Sequence, residues 1–345
     1  MNRCARSCAR LFSVLLATLL SGFFPAGLAQ KSITLVATGS SLPEPLYVAW
    51  GDAYHAQHPG TRLRYLPEGT GESARMILAG VGDLGGGDAP IPENVVKNGA
   101  IPVLELPTVL IGIAVVYNLP NTPGDLRLTG PLLADIFLGK AKLWNDPAIA
   151  KLNPAMKLPA QPIQVIHRAD GKGANYILSD FLCKASPEFL AKAGRGESPK
   201  WPVGFSAARS QDMADKVRAT SWSIGYTESN LAQMAPLKMA HIKNPNGEFI
   251  LPTTKSIVAA ALGAKIRDDF RVSLTNAPGK DSYPVTSFTW LYIPAKSQDP
   301  ERGRAVVGYL KWVYAEGQKI AQERGYATLP NELLTKVTAS AAGVR

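Results

Sequence analysis

Apolar and polar positions along the 345-residue chain switch repeatedly between a period of two and a period near 3.6, the pattern of strands alternating with helices. Ile33-Thr-Leu35-Val-Ala37 predicts a strand that runs into the turn Gly39-Ser40-Ser41-Leu42-Pro43. Leu46, Ala49, Trp50, Ala53 and Tyr54 then share one helical face, and Pro59-Gly60 stops that helix. Arg62 to Leu66 predicts the next strand, followed by Gly69-Thr70-Gly71 and a helix through Met76, Ile77 and Val81. Asp83 to Pro90, with glycine at 85, 86 and 87, reads as a further turn. Val109 to Asn118 is an unbroken apolar run, as expected of a strand buried on both faces.

The later half repeats the alternation. Pro131 to Leu138 predicts a short helix closed by Gly139, and Asp146-Pro147 reads as cap and first position of another. Ile163–His167, Trp222–Tyr226 and Ser287–Ile293 predict strands. A long helix follows from Asp299-Pro300 to Gly325, with Val306, Tyr309, Leu310 and Val313 aligned. This order predicts an α/β fold of mostly parallel sheets flanked by helices. In such folds ligands sit beyond the carboxyl ends of strands, and the Gly-rich turns at 39–43, 69–73, 85–90 and 168–173 all fall there.

The first residues place the chain outside the cytoplasm. Arg3, Arg6 and Arg10 precede an apolar stretch from Leu11 to Phe24, and Gly27-Leu28-Ala29 supplies small residues for cleavage. The stretch is too short to span a bilayer and reads as a secretory signal peptide, residues 1–29. No cysteine stands at the cleavage site, which argues against lipid attachment. Cys4 and Cys8 leave with the leader, so Cys183, in a helical run, remains as a small buried residue and no internal disulfide forms. The formal net charge falls from +10 to +7. Lysines and arginines are scattered, so there is no nucleic-acid stripe, though a mild positive field draws small anions.

Enzyme chemistry finds little support. No Ser/His/Asp or Cys/His set has recognisable spacing, and four histidines are few for a metal enzyme. No cofactor or metal is expected. His55-x-x-His58 reads as favourable placement at a helix C-terminus. Gly69-x-Gly71-x-x-Ala74 imitates a dinucleotide-binding turn, but an exported chain does not meet nicotinamide cofactors.

Arg168-Ala169-Asp170-Gly171-Lys172-Gly173 is the stretch with clearest chemistry. It joins an apolar strand to a helical run starting near Asn175. The first amides of a helix have no intrahelical partner and accept an anion. Glycines let the backbone approach, and Arg168 offers a fork of donors that Asp170 is close enough to orient. The turn is not a P-loop, because Gly173 rather than Ser or Thr follows Lys172.

The four turns, in this order, resemble the periplasmic phosphate-binding proteins of bacterial phosphate ABC importers, the PstS family. The most specific matches are Gly86-Gly87-Asp88-Ala89-Pro90, Ile136-Phe137-Leu138-Gly139-Lys140, the run Trp144 to Pro154, Arg168-Ala169-Asp170-Gly171, Trp201-Pro202-Val203-Gly204 and Ile224-Gly225-Tyr226. The resemblance implies two α/β lobes hinged around a ligand cleft, with residues 30–110 plus 268–345 in one lobe and 111–267 in the other. It implies an anion held by the Ser41 hydroxyl and Leu42 amide, Thr70, Asp88, Arg168 oriented by Asp170, and Lys172, Gly173 and Ala174. Ser41 and Leu42 replace the family's Thr and Phe, and Thr70 its Ser. Lys172 and Ala174 replace a serine and a threonine. The implied function is capture of inorganic phosphate in the periplasm, without catalysis, by a monomer that delivers it to a membrane permease. A receptor retuned to arsenate, a phosphonate or a phosphate ester, a sensor, and an exported phosphatase are the alternatives.

Overall fold

The computed structural model describes residues 32–169 and 171–344, so the leader and Asp170 lie outside the described residues. In chain order the first half holds β1 (Ile33–Gly39), α1 (Glu44–Gln57), β2 (Thr61–Leu66), α2 (Thr70–Leu78), β3 (Leu84–Gly87), α3 (Glu93–Lys97), β4 (Val103–Asn118), β5 (Arg127–Leu128), α4 (Gly130–Phe137) and α5 (Pro147–Leu152). Then come β6 (Gln164–Arg168), α6 (Gly173–Ala185), α7 (Pro187–Lys192), β7 (Phe205–Ala207), α8 (Ser210–Ala219), β8 (Ser223–Glu228) and α9 (Ser229–Met234). The chain closes with β9 (Lys238–Met239), β10 (His241–Lys243), β11 (Phe249–Ile250), α10 (Thr254–Gly263), β12 (Thr286–Pro294), α11 (Pro300–Trp312), α12 (Gln318–Glu323) and α13 (Asn331–Ala341).

One sheet runs β2-β1-β3-β12-β4-β8-β6-β7, with β9 also on β4. The parallel order expected from βαβ alternation holds in β2-β1-β3 and again in β8-β6-β7. β4 joins the two groups. Its residues Val103–Gly112 pair antiparallel with β12, and Ile113–Asn118 pair antiparallel with β8. One apolar strand thus serves both sides, which is why its side chains are buried on both faces from Glu105 to Tyr117. The fold is a mixed α/β architecture with helices packed on a large sheet.

Capping chemistry places the helices as the sequence predicts. Asp146 accepts from Ala148 N, and Asp299 accepts from Glu301 N and Arg302 N, which would otherwise lack partners. The late helix is continuous from α11 into α12 through a widened turn at Val313–Gly317, whose last carbonyl accepts from Trp50 Nε1 at 2.7 Å. Two local expectations change. α2 ends at Leu78 and leaves Val81 half exposed, because Gly80 and Gly82 take positive φ and end the helical path. Leu84-Gly85-Gly86-Gly87, read as a turn, is the buried strand β3. Its glycines are required by neighbours. A Cβ on Gly87 would lie 1.9 Å from Tyr292 Oη, and one on Gly85 would lie 2.9 Å from Ser73 Oγ. Cys183 is half-buried against the core.

Candidate functional site

β1 and β3 end side by side, and the residues that follow them converge with those that follow β6, which has three strands of the sheet between it and β3. The amide of Ser40 donates to Gly86 O at 3.1 Å, and Gly69 N donates to Gly39 O at 2.7 Å. These bonds tie the first three turns together. The fourth turn arrives from the other half of the sheet on β6, whose last residue is Arg168.

Arg168 is fully buried. Its amide donates to Tyr226 Oη at 2.9 Å, and Tyr226 in turn donates to Asn175 Oδ1. The guanidinium donates from Nη1 to Ser210 Oγ at 3.0 Å and from Nη2 to Ser41 Oγ and Ala208 O, each at 3.2 Å. Nε has no partner among the described residues. Burial lowers the tendency of this guanidinium to hold its proton, and nearby Glu228 opposes that effect. An arginine so deep in the protein is costly unless it serves an anion.

Asp88, directly after β3, is fully buried as well, and neither carboxyl oxygen has a hydrogen-bond partner among the described residues. Burial pushes its carboxyl up to about 7; nearby Ser40 and Thr289 pull it down, Glu228 pushes it up and Arg168 pulls it down. Its amide donates to Thr70 Oγ1 at 3.3 Å, which fixes Thr70 at the start of α2. The carboxyl faces the start of α6. A Cβ on Gly173 would lie 2.1 Å from Asp88 Oδ2, so only glycine fits there. Gly173 and Ala174 are the first two residues of α6, and their amides precede any intrahelical acceptor.

The structure therefore brings Ser41, Thr70, Asp88, Arg168, Gly173 and Ala174 to one place. Leu42 stands beside them with its side chain buried and its amide donating to Ser40 Oγ at 3.1 Å. Lys172 is half-buried, and its Nζ donates to Glu68 O at 3.2 Å, from the β6 turn to the β2 turn. Burial first, then Arg168, lowers the pKa of its ammonium. Asp170 lies outside the described residues.

Four participants escape a motif search. Ser40 shares the first turn with Ser41. Ser210, at the start of α8, holds Arg168. Glu228 ends β8, buried, with its carboxyl raised by burial and opposed by Arg168. Glu197 follows α7, and its carboxyl is pushed up to about 7 by burial and then by Asp88. Isolated polar residues carry no spacing signal.

Among the described residues no group of three His, Cys, Asp or Glu side chains is placed to hold a metal ion, and no helix is long and apolar enough to cross a membrane. What the arrangement supplies is a buried cation, helix-start amides, hydroxyls and a carboxyl ready to share a proton. That set fits a small oxyanion which carries hydrogen.

Comparison with known proteins identifies the family. Residues 25–316 match the PBP superfamily domain. The chain is 36% identical over 330 residues to the phosphate-binding protein PstS of Pasteurella multocida, covering 95% of this chain and 94% of that one. It is 34% identical over 307 residues to the PstS of Haemophilus influenzae, covering 88% and 91%. In fold it is similar to PfluDING, a high-affinity periplasmic phosphate-binding protein solved with phosphate bound, with a TM-score of 0.70 at 19% identity over 89% of this chain and 94% of that one. With the superfamily domain and full-length relatives both in agreement, the chain belongs to the PstS family of phosphate-binding proteins.

Proposed function

We propose that this protein captures inorganic phosphate between its lobes and hands it to a membrane ABC importer. The observation that carries the reading is the pairing of two buried, unsatisfied groups. Arg168 Nε has a proton to give, and Asp88 has oxygens to accept one. A bare dianion such as sulfate suits the first and is repelled by the second. Phosphate and arsenate bring a proton for Asp88 and oxygens for Arg168 and the amides of Gly173 and Ala174. Ser41, Thr70 and the neighbouring Leu42 amide complete the shell in this reading, with Asp170 orienting Arg168. The PstS names of the full-length relatives support the same ligand.

The lobes of this reading are residues 30–110 plus 268–345 and residues 111–267. The exchange of partners on β4 between Gly112 and Ile113 supports a hinge there. The protein would act in the periplasm as a monomer, after loss of its leader, without catalysing a reaction. Lys172 and Ala174, where the family has hydroxyls, favour a second reading in which the receptor is retuned to arsenate, a phosphonate or a phosphate ester. Calorimetric titration of protein freed of ligand by unfolding and refolding tests both. Phosphate is expected to bind once per chain and sulfate not at all. Arg168→Ala is expected to abolish binding, and parent-like affinity in that variant would move the site elsewhere.

A further inference from the structure

Residues 271–275, between α10 and β12, form neither helix nor strand, yet their side chains bond to elements on two sides of the site. At one end Arg271 Nη2 donates to Ile91 O, and its Nε lies 2.9 Å from Glu105 Oε1. The other oxygen of that carboxyl, Oε2, accepts from the Ile91 amide at 2.9 Å. Ile91 is thus gripped at both its amide and its carbonyl, three positions after Asp88. At the other end Ser273 Oγ and Thr275 Oγ1 both donate to Oδ2 of Asp180. Asp180 is fully buried in α6, seven positions after Gly173. Lys184 of the same helix closes this cluster. Its Nζ lies 3.0 Å from Asp180 Oδ2 and donates to Ser273 Oγ and Thr275 Oγ1, each at 2.7 Å.

These contacts close a ring. Asp88 and Gly173 face each other at the anion site, where Asp88 Oδ2 lies 2.1 Å from the place of a Gly173 Cβ. From Gly173 to Asp180 the helix rises about 10 Å. The chain from Arg271 to Thr275 reaches at most about 14 Å, so the link has little slack. Its flanks are set as well. Phe270 and Asn276 both hold a φ of 57°, the left-handed region that a bulky side chain rarely enters. Phe270 is buried, and its carbonyl accepts from Trp290 Nε1 of β12 at 3.2 Å. The Asn276 amide donates to Pro284 O at 2.9 Å.

Building on the phosphate reading, we propose that residues 271–275 are a strap that sets the gap between the Asp88 turn and the start of α6, with Arg271, Thr275 and Asp180 as positioning residues for the oxyanion. Asp88 is held through Ile91, and the Gly173 and Ala174 amides through Asp180. The proton acceptor and the helix amides therefore meet the anion at a spacing that neither turn fixes alone. Stability by itself does not call for such a cluster, because a buried ion pair is often no better than apolar packing of the same volume. What the cluster adds is a fixed position.

The test is a double-mutant cycle read by calorimetric titration with phosphate. One arm loosens the strap with Ser273→Ala plus Thr275→Val. The other is Gly173→Ala, which forces a methyl against Asp88. The loosened strap is expected to weaken phosphate binding severalfold by itself. Combined with Gly173→Ala, the loss should be at least about threefold smaller than the product of the two separate losses, because slack in the strap lets α6 yield to the methyl. Arg271→Lys, which loosens the other end, should couple to Gly173→Ala with the same sign. Thr275→Ser keeps the hydroxyl and should keep the parent affinity. A merely structural role would lower the melting temperature and leave the losses multiplying. Losses that multiply, or a loosened strap with parent affinity, would overturn the strap while leaving phosphate capture intact. Should the double substitution not fold, Thr275→Val alone in the same cycle decides. A parent that binds no phosphate would remove the phosphate reading and this inference together.

Discussion

Replacing Gly173 with alanine adds one methyl group at the point where the two halves of the site press together. The new carbon would lie 2.1 Å from Asp88 Oδ2, 2.7 Å from its Cβ and 2.8 Å from its Cγ. Ordinary contact begins near 3.4 Å, so the whole Asp88 side chain must retreat by roughly 1 Å, into surroundings packed as densely as an organic crystal. Overpacking of this kind costs about 1–3 kcal/mol, which is roughly five- to 150-fold in a dissociation constant. The backbone raises no objection, because Gly173 opens α6 and is not among the residues with positive φ. Alanine is also the better helix former, by up to about 1 kcal/mol. The expected signature is therefore specific: weaker phosphate binding in calorimetry, with an unchanged or higher melting temperature before ligand is added. A variant that binds phosphate as tightly as the parent would show that Asp88 and Gly173 do not face each other when ligand is held. A large loss of ligand-free stability would show that the contact belongs to the resting fold and not to closure.

Asp88→Asn is expected to narrow the gap between phosphate and sulfate, because the amide no longer repels an anion without protons; titration with both ions checks it. The same variant bears on stability. Asp88 holds its proton up to about 7 in the fold against an ordinary value of 3.8, so the folded form binds the extra proton and its stability drops as pH rises from about 4 through about 7. Thermal melts should find Asp88→Asn more stable than the parent at pH 8 by several degrees, and an unchanged pH dependence would contradict the buried carboxyl. Lys172→Ser removes the bond to Glu68 O, and a charge-assisted bond on a half-buried loop is worth on the order of 1 kcal/mol. Phosphate affinity should fall severalfold and become less sensitive to salt, whereas tighter binding would mean that the restored hydroxyl matters more than the lysine. Gly87→Ala would put a methyl 1.9 Å from Tyr292 Oη, and its melting temperature should drop sharply with or without ligand, unlike Gly173→Ala.

The sequence by itself determined what local physics determines. The period of apolar residues placed β1, β6 and the long final helix within a few residues, and of β4 it caught Val109–Asn118 but not the stretch from Val103. Capping and breaking residues such as Asp146, Gly139 and Asp299 set helix ends, because the groups they satisfy lie within one turn of them. Arg168 was legible as a candidate anion ligand because a strand, glycines and a helix start surround it in the chain. The family resemblance supplied Ser41, Thr70 and Asp88. Tertiary structure decided the rest. Three glycines in a row read as a turn because glycine is a turn former, yet they pair as a strand with β1 and β12, and Tyr292, some two hundred positions away, crowds Gly85 and Gly87 while Tyr65 and Tyr47 crowd Gly86. Lys172 could have pointed at an anion or at water, and its partner is a carbonyl from a different turn. Glu197, Ser210 and Glu228 have no signature at all. A carboxyl's chemistry depends on which charges and how much water surround it, and those neighbours are chosen by packing between distant segments, where no sequence window reaches.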